Sequence, residues 1–326
     1  MPHASTRNVA RDLDLVRAAL GERRISYLGW SYGGYLGAVY ARLFPHRVAR
    51  MVLDSAPDPQ TYGPDGERDH YAAQAAEQEN WVAWEARRRG TTPAAVRATV
   101  DAIREVADRH GTLTIGRHTV DPNLVRRLAL GTDTEELYGR WSDLLALFAA
   151  AARGEPVTPG PQWEPFFESL SSREVDAGAS AFAASLCADR AAYSRGPEAY
   201  FRDIRAHRVS EPMYGPVNRN VTPCTFWPTA PAEPPTRVGG ALPALLVGAT
   251  GDPSTPYAGQ QVLHGALRGS RMVSLHGAFR HGVYSWDANP CVDGVVVAYL
   301  LGGRLPASDV TCTRSSPTGP TGPGGS

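Results

Sequence analysis

The chain has 326 residues with 33 basic and 33 acidic side chains, a formal net charge of zero. That balance gives no electrostatic footprint for nucleic acid or an acidic membrane surface. No apolar run approaches the length of a membrane span; the longest, 144–152, suits a buried helix, and every cation is a scattered arginine or histidine, with no lysine.

Residues 6–20 place Val9, Leu13, Leu15, Val16, Ala19 and Leu20 at helical spacing, and Gly21 stops the pattern. Residues 24–28 (Arg-Ile-Ser-Tyr-Leu) predict a strand, and residues 35–43 predict a helix closed by Pro45. Between them lies Gly29-Trp30-Ser31-Tyr32-Gly33, a Gly-x-Ser-x-Gly string in the strand–turn–helix context of a nucleophile elbow. A serine hydroxyl is a poor nucleophile until it is exposed, oriented and given a base. Such a turn supplies the first two, and glycines at 29 and 33 are expected to remove β-carbons that would clash. The other reading is a glycine-rich helix cap with a surface serine. Residues 50–54 predict a second buried strand, and strand–helix–strand with a short crossover implies a parallel sheet.

From Ala56 the texture changes. Pro57, Asp58, Pro59, Gly63 and Gly66 mark a boundary, and residues 71–208 then read as mainly helical with little strand signal. A Pro-rich stretch over 216–235 leads to strands at 240–250 and 271–275, a crossover helix at 258–267 and a last helix at 291–301. The expected organisation is a core over 1–58 and 216–314, an all-helical insertion over 59–215, and a disordered Ser/Thr/Pro/Gly tail at 315–326.

A nucleophilic serine needs a base and an orienting carboxylate. In open α/β sheets ligands bind beyond the carboxyl ends of strands. Asp252 stands in Gly-Asp-Pro-Ser-Thr-Pro just past the 240–250 strand, and His281 stands in Phe-Arg-His-Gly-Val past the 271–275 strand. His276 is the rival base but abuts its strand. Asp54 also follows a strand and is read as a loop carboxylate that positions backbone N–H groups. The order Ser31, Asp252, His281 is that of α/β-hydrolases. No histidine cluster has metal-ligand spacing, so neither a metal nor a cofactor is expected.

The four cysteines, Cys187, Cys224, Cys291 and Cys312, include no Cys-x-x-Cys pair. They allow four buried thiols or two disulfides in three connectivities. Cys187–Cys224 with Cys291–Cys312 is the favoured pairing; the second bond would tie the last helix to the final ordered segment. Disulfides imply an oxidising compartment, although residues 1–6 lack the basic start and apolar core of an export signal.

The strings Gly-Trp-Ser-Tyr-Gly-Gly-Tyr-Leu-Gly, Phe-Pro-His-Arg-Val, Met-Val-Leu-Asp-Ser-Ala, Cys-Ala-Asp at 187–189, Cys-Thr-Phe-Trp at 224–227, Gly-Asp-Pro-Ser-Thr-Pro and Cys-Val at 291 cover nearly the whole chain. Together they resemble the secreted tripeptidyl aminopeptidases of actinobacteria, which are proline-iminopeptidase-like α/β-hydrolases. The resemblance implies an extracellular serine peptidase that removes short peptides from a free N-terminus, with the helical insertion as a cap. It implies an acidic residue in that cap for the substrate ammonium, for which Asp189 is the candidate, the alternative being a salt bridge of a cap helix. It also implies an oxyanion hole with one N–H from Tyr32 and one from a Gly-rich upstream loop. No candidate for that loop precedes residue 6, so a chain lacking the N-terminal strands of the fold is expected, with an unpaired edge on the Ser31 strand. Arg280 stands where the resemblance leads one to expect glycine. An esterase acting on small acyl esters and a non-catalytic remnant are the alternative functions. Neither nucleic acid nor membrane is an expected partner, and the sequence leaves the oligomeric state open.

Overall fold

A computed structural model describes residues 3–129, 135–170 and 173–314, so the expectation of a disordered tail at 315–326 lies outside the described residues. Helix α1 (Thr6–Ala19) comes first, followed by β1 (Ile25–Trp30), α2 (Tyr32–Leu43) and β2 (Val48–Asp54). The middle of the chain holds α3 (Tyr71–Arg89), α4 (Pro93–His110), β3 (Leu113–Ile115), β4 (His118–Val120), α5 (Pro122–Ala129), α6 (Tyr138–Ala152), α7 (Glu164–Ser169), α8 (Arg173–Asp189), α9 (Pro197–His207) and α10 (Gly215–Asn218). The last part holds β5 (Leu245–Ala249), α11 (Tyr257–Ala266), β6 (Arg271–His276), α12 (Pro290–Gly302) and β7 (Val310–Thr313).

The chain divides into two compact units, one of Leu13–Pro59 with Val238–Ser326 and one of Met1–Asp12 with Gln60–Arg237. The first is a five-stranded sheet in the order β1-β2-β5-β6-β7, with every neighbouring pair parallel. Alternate residues of a strand face opposite sides of a sheet, and this sheet is covered on both. Val52, Leu245, Val247, Val273 and Leu275 pack with Val292, Val296 and Tyr299 of α12. Met51, Leu53, Leu246 and Met272 pack with Ala38 and Ala41 of α2 and Leu263 of α11. Each fully buried aliphatic side chain contributes about 1.5–3 kcal/mol of burial. The register puts Trp30 beside Asp54 and Asp54 beside Val247, so the carboxyl ends of β1, β2 and β5 share one edge of the sheet.

The second unit is mainly helical. Helix α4 shows how its sequence sets its limits: the Thr92 side chain accepts from the Ala95 N–H, Pro93 stands at the first turn, and Gly111 ends the helix at φ 76°. Val96, Val100, Ile103 and Ala107 of that helix pack with Trp81, Leu144, Phe148 and Ile115.

Three details depart from the sequence reading. A β3–β4 hairpin stands inside the stretch read as helical; its strands have three residues each, too few for a periodic signal. Strand β7 gave no signal either, because it is four residues long with only Cys312 buried. The apolar face of α1 is not a packing face: Leu15, Val16 and Leu20 are exposed, while Ala10 and Arg17 are buried. The arginine is held there by Asp14 at 2.7 Å, and Asp14 also accepts from the Tyr40 hydroxyl at 3.1 Å.

Both disulfides of the favoured pairing are present, Cys187–Cys224 with Cα atoms 5.1 Å apart and Cys291–Cys312 with 5.9 Å. In the chain-entropy account each stabilises the fold by about 3–4 kcal/mol. The first also places residues 216–237 with the helical unit, which Glu233 reinforces by pairing with Arg7 and Arg11.

Candidate active site

Strand β1 ends at Trp30 and helix α2 begins at Tyr32, so one residue makes the turn. That residue, Ser31, sits at φ 56° and ψ −125°. A positive φ costs a non-glycine residue about 1–3 kcal/mol and persists only where the surroundings enforce it. Here the Ser31 N–H donates to the Asp54 carbonyl at 2.9 Å, and the Ser31 carbonyl accepts from Gly34 N–H at 2.8 Å. Serine is a favoured N-cap, yet the Ser31 side chain makes no capping hydrogen bond to α2. Tyr32 is the first residue of that helix, so its N–H stands at the helix N-terminus.

The glycines of the elbow do not divide the work as the motif suggests. A β-carbon at Gly29 would come within 2.6 Å of the Gly33 backbone, whereas one at Gly33 would meet nothing closer than 3.7 Å. Gly34 and Gly37 are the other tight positions, facing Ala56 Cβ at 2.6 Å and the Tyr27 ring at 2.5 Å. Tyr27 also donates its hydroxyl to the Gly33 carbonyl at 2.6 Å, and burial pushes that hydroxyl up to about 12.

Asp252 and His281 meet. The ring Nδ1 of His281 lies 3.0 Å and 3.2 Å from the two Asp252 oxygens. Asp252 is 1% exposed, and its oxygens also accept from the N–H groups of Ser254 and Thr255, each at 2.9 Å, and from the Gln260 amide at 3.2 Å. The Thr255 hydroxyl lies 2.8 Å from both Asp252 Oδ2 and the Ser55 carbonyl, so its single proton serves one of them at a time. This arrangement makes Nδ1 the donor to Asp252 and leaves Nε2 as the basic nitrogen.

Asp54 is the residue around which the loops are arranged. It is fully buried, and its carboxylate accepts from the N–H groups of Val283 at 3.1 Å and Tyr284 at 2.7 Å and from the Ser55 hydroxyl at 2.8 Å. Ser55, at φ 50°, accepts the Gly282 N–H on its own hydroxyl at 3.0 Å. Asp54 therefore plays the loop-positioning part and does not orient the imidazole. Burial, with a smaller contribution from Asp252, pushes its carboxyl up from 3.8 to about 6, against the pull of its three donors.

Asp189, the candidate for an ammonium, is 7% exposed at the end of α8. One oxygen accepts from the Thr6 N–H at 2.7 Å and the other from the Thr6 hydroxyl at 2.5 Å. That places a carboxylate on an orphan N–H at the start of α1, a helix-terminus role. A second Ser–His–Asp string, Ser270, His264 and Asp309, fails as a nucleophilic site. Its serine is 2% exposed, and the hydroxyl lies 2.7 Å from the Leu267 carbonyl. Among the described residues, no group of three or more His, Cys, Asp or Glu could hold a metal ion, and no helix is long and apolar enough to cross a membrane.

Comparison with known proteins adds to this geometry. Residues 211–312 match the family described as TAP-like protein. The tripeptidyl aminopeptidase of Streptomyces lividans is 34% identical over 96% of this chain. The chain is a relative of the tripeptidyl aminopeptidases. It spans 59% of the length of that protein. Serine protease Hip1 of Mycobacterium tuberculosis is 30% identical over 96% of the chain, which spans 62% of it. Carboxylesterase B of the same species is 35% identical over a shorter stretch, 27% of this chain and 17% of that protein. With its parallel sheet, its elbow and the order serine, aspartate, histidine, the chain has the α/β-hydrolase fold.

The sequence reading missed Tyr27, Thr255 and Gln260. Thr255 carried the one signal available, its place in the Gly-Asp-Pro-Ser-Thr-Pro loop.

The clash geometry makes Gly29→Ala lower the unfolding free energy by about 1–3 kcal/mol, while Gly33→Ala changes it by less than about 0.5 kcal/mol. Urea titrations of the two variants check the contrast. Asp54 gives a second expectation. Because its folded carboxyl titrates near 6 and its unfolded one near 3.8, the native state keeps a proton that the unfolded chain releases. Its contribution to stability is full below about pH 4 and is lost as pH rises through 6, a change of about 3 kcal/mol. Asp54→Asn should remove that falling segment from a plot of urea midpoint against pH.

Proposed function

We propose that this chain carries the active site of a serine peptidase that cleaves short peptides from a free N-terminus. The observation that carries the reading is the serine held at positive φ between β1 and α2, on a sheet whose β5 and β6 ends supply a hydrogen-bonded aspartate and histidine. The identity to a tripeptidyl aminopeptidase supports the choice of substrate class.

In this mechanism His281 Nε2 takes the Ser31 proton as Oγ attacks the scissile carbonyl carbon. Asp252 holds the ring and stabilises the imidazolium. The Tyr32 N–H, at the start of α2, stabilises the oxyanion. Collapse breaks the C–N bond, and His281 gives its proton to the departing amine. Water, activated by the same nitrogen, then frees the peptide from Ser31. The two disulfides fit an oxidising, extracellular setting.

An esterase reading has its own support in the partial match to carboxylesterase B. Chromogenic tripeptide amides with a free amine, their N-acylated counterparts and short acyl esters separate the two. The peptidase reading expects the free-amine substrates to be preferred and Ser31→Ala to lose at least about a thousandfold in kcat. Preference for esters or N-blocked peptides would count against it. Failure of a fluorophosphonate to label the folded chain at Ser31 would remove catalysis altogether.

A further inference from the structure

The segment that carries His281 is built around buried charges that the triad chemistry does not use. Arg280 is 3% exposed. Its Nε donates to the Gly282 carbonyl at 2.6 Å, and its Nη1 donates to Asp287 Oδ1 at 2.8 Å. The Asp287 side chain is 2% exposed and also receives Arg314 Nη2 at 3.3 Å. The Arg314 N–H donates to the carbonyl of His276, where the loop leaves β6, at 3.1 Å. Between these anchors the backbone takes positive φ at Gly282 (79°), Ser285 (68°) and Ala288 (49°).

A buried ion pair adds little stability over apolar residues of similar volume, so stability does not account for this one. Strained loop conformations persist only where their surroundings over-determine them. From this, we infer that Arg280 and Asp287 are positioning residues for the base His281. The side chain at 280 grips the carbonyl at 282 and so brackets the histidine between them. Ser55 accepts the N–H of the same Gly282, so both polar groups of that residue are held. Asp287 fixes the far side of the guanidinium, and Arg314 ties Asp287 back to the start of the loop. The planar fork of arginine meets two acceptors in different directions, which a lysine ammonium does not reproduce.

The inference rests on the reading of Ser31, His281 and Asp252 as a triad. Its test uses Arg280→Lys and Arg280→Gln in the 326-residue chain. One readout is the proton NMR resonance of the His281 Nδ1–H shared with Asp252, assigned by its loss in His281→Gln. It needs no turnover, so a wild-type chain that fails to label with a fluorophosphonate would sink the catalytic reading while leaving the clamp measurable. The other readout is kcat against KM on a free-amine tripeptide substrate. Arg280→Lys, with wild-type near-UV circular dichroism, should broaden the resonance and lower kcat by about tenfold or more while KM stays within about twofold. Arg280→Gln should lose more than Arg280→Lys. A folded Arg280→Lys variant with wild-type resonance and kcat would overturn the assignment.

Discussion

A buried carboxylate at the end of a strand holds this site together. The main-chain carbonyl of Asp54 takes the N–H of Ser31, and its side chain takes two N–H groups of the loop after His281. The next residue, Ser55, takes the Gly282 N–H on its hydroxyl, and its carbonyl lies within reach of the Thr255 hydroxyl beside Asp252. Two consecutive residues thus touch the segments that carry Ser31, His281 and Asp252. All three segments follow the carboxyl ends of parallel strands, and the register of β1, β2, β5 and β6 brings those ends to one edge.

The arrangement costs free energy. A buried carboxylate is charged against the preference of its surroundings, and burial accounts for most of the upward push on Asp54. Three donors offset part of that cost by favouring the ionised form. Positive φ at Ser31 and Ser55 adds backbone strain on either side of the same carbonyl contact. Strain and buried charge in one place are what a preorganised site demands, because donors and acceptors set in advance need not rearrange during reaction. The buried sheet and the Cys291–Cys312 bond supply the stability against which those costs are set.

The sequence pointed to Ser31, Asp252 and His281 because the signals that single them out are local. Ser31 sits in a short motif with its strand and helix around it, and Asp252 and His281 each follow a strand in a glycine-bearing loop. It carried the parallel sheet through its apolar runs but not β7, whose four residues are too few for a periodic signal. The part played by Asp54 was legible only as a type, a carboxylate that gathers N–H groups, since its partners lie about 230 residues away in the chain. The glycines show the same limit. The motif points to Gly29 and Gly33, but the steric demand falls on Gly29, Gly34 and Gly37, whose crowding comes from Gly33, Tyr27 and Ala56 in the folded chain. Asp189 has the charge that an ammonium site needs, yet the fold uses that charge on Thr6.

If Asp54 organises the proposed triad, its charge must matter to the chemistry of residues its side chain does not join. The most direct measurement is the second-order rate of fluorophosphonate attack by Ser31 in Asp54→Asn against wild type at pH 8, where the Asp54 carboxyl is ionised. With the fold verified by near-UV circular dichroism, loss of the carboxylate should slow labelling by about ten- to a hundredfold through misplacement of His281. Equal rates in the two proteins would contradict the account.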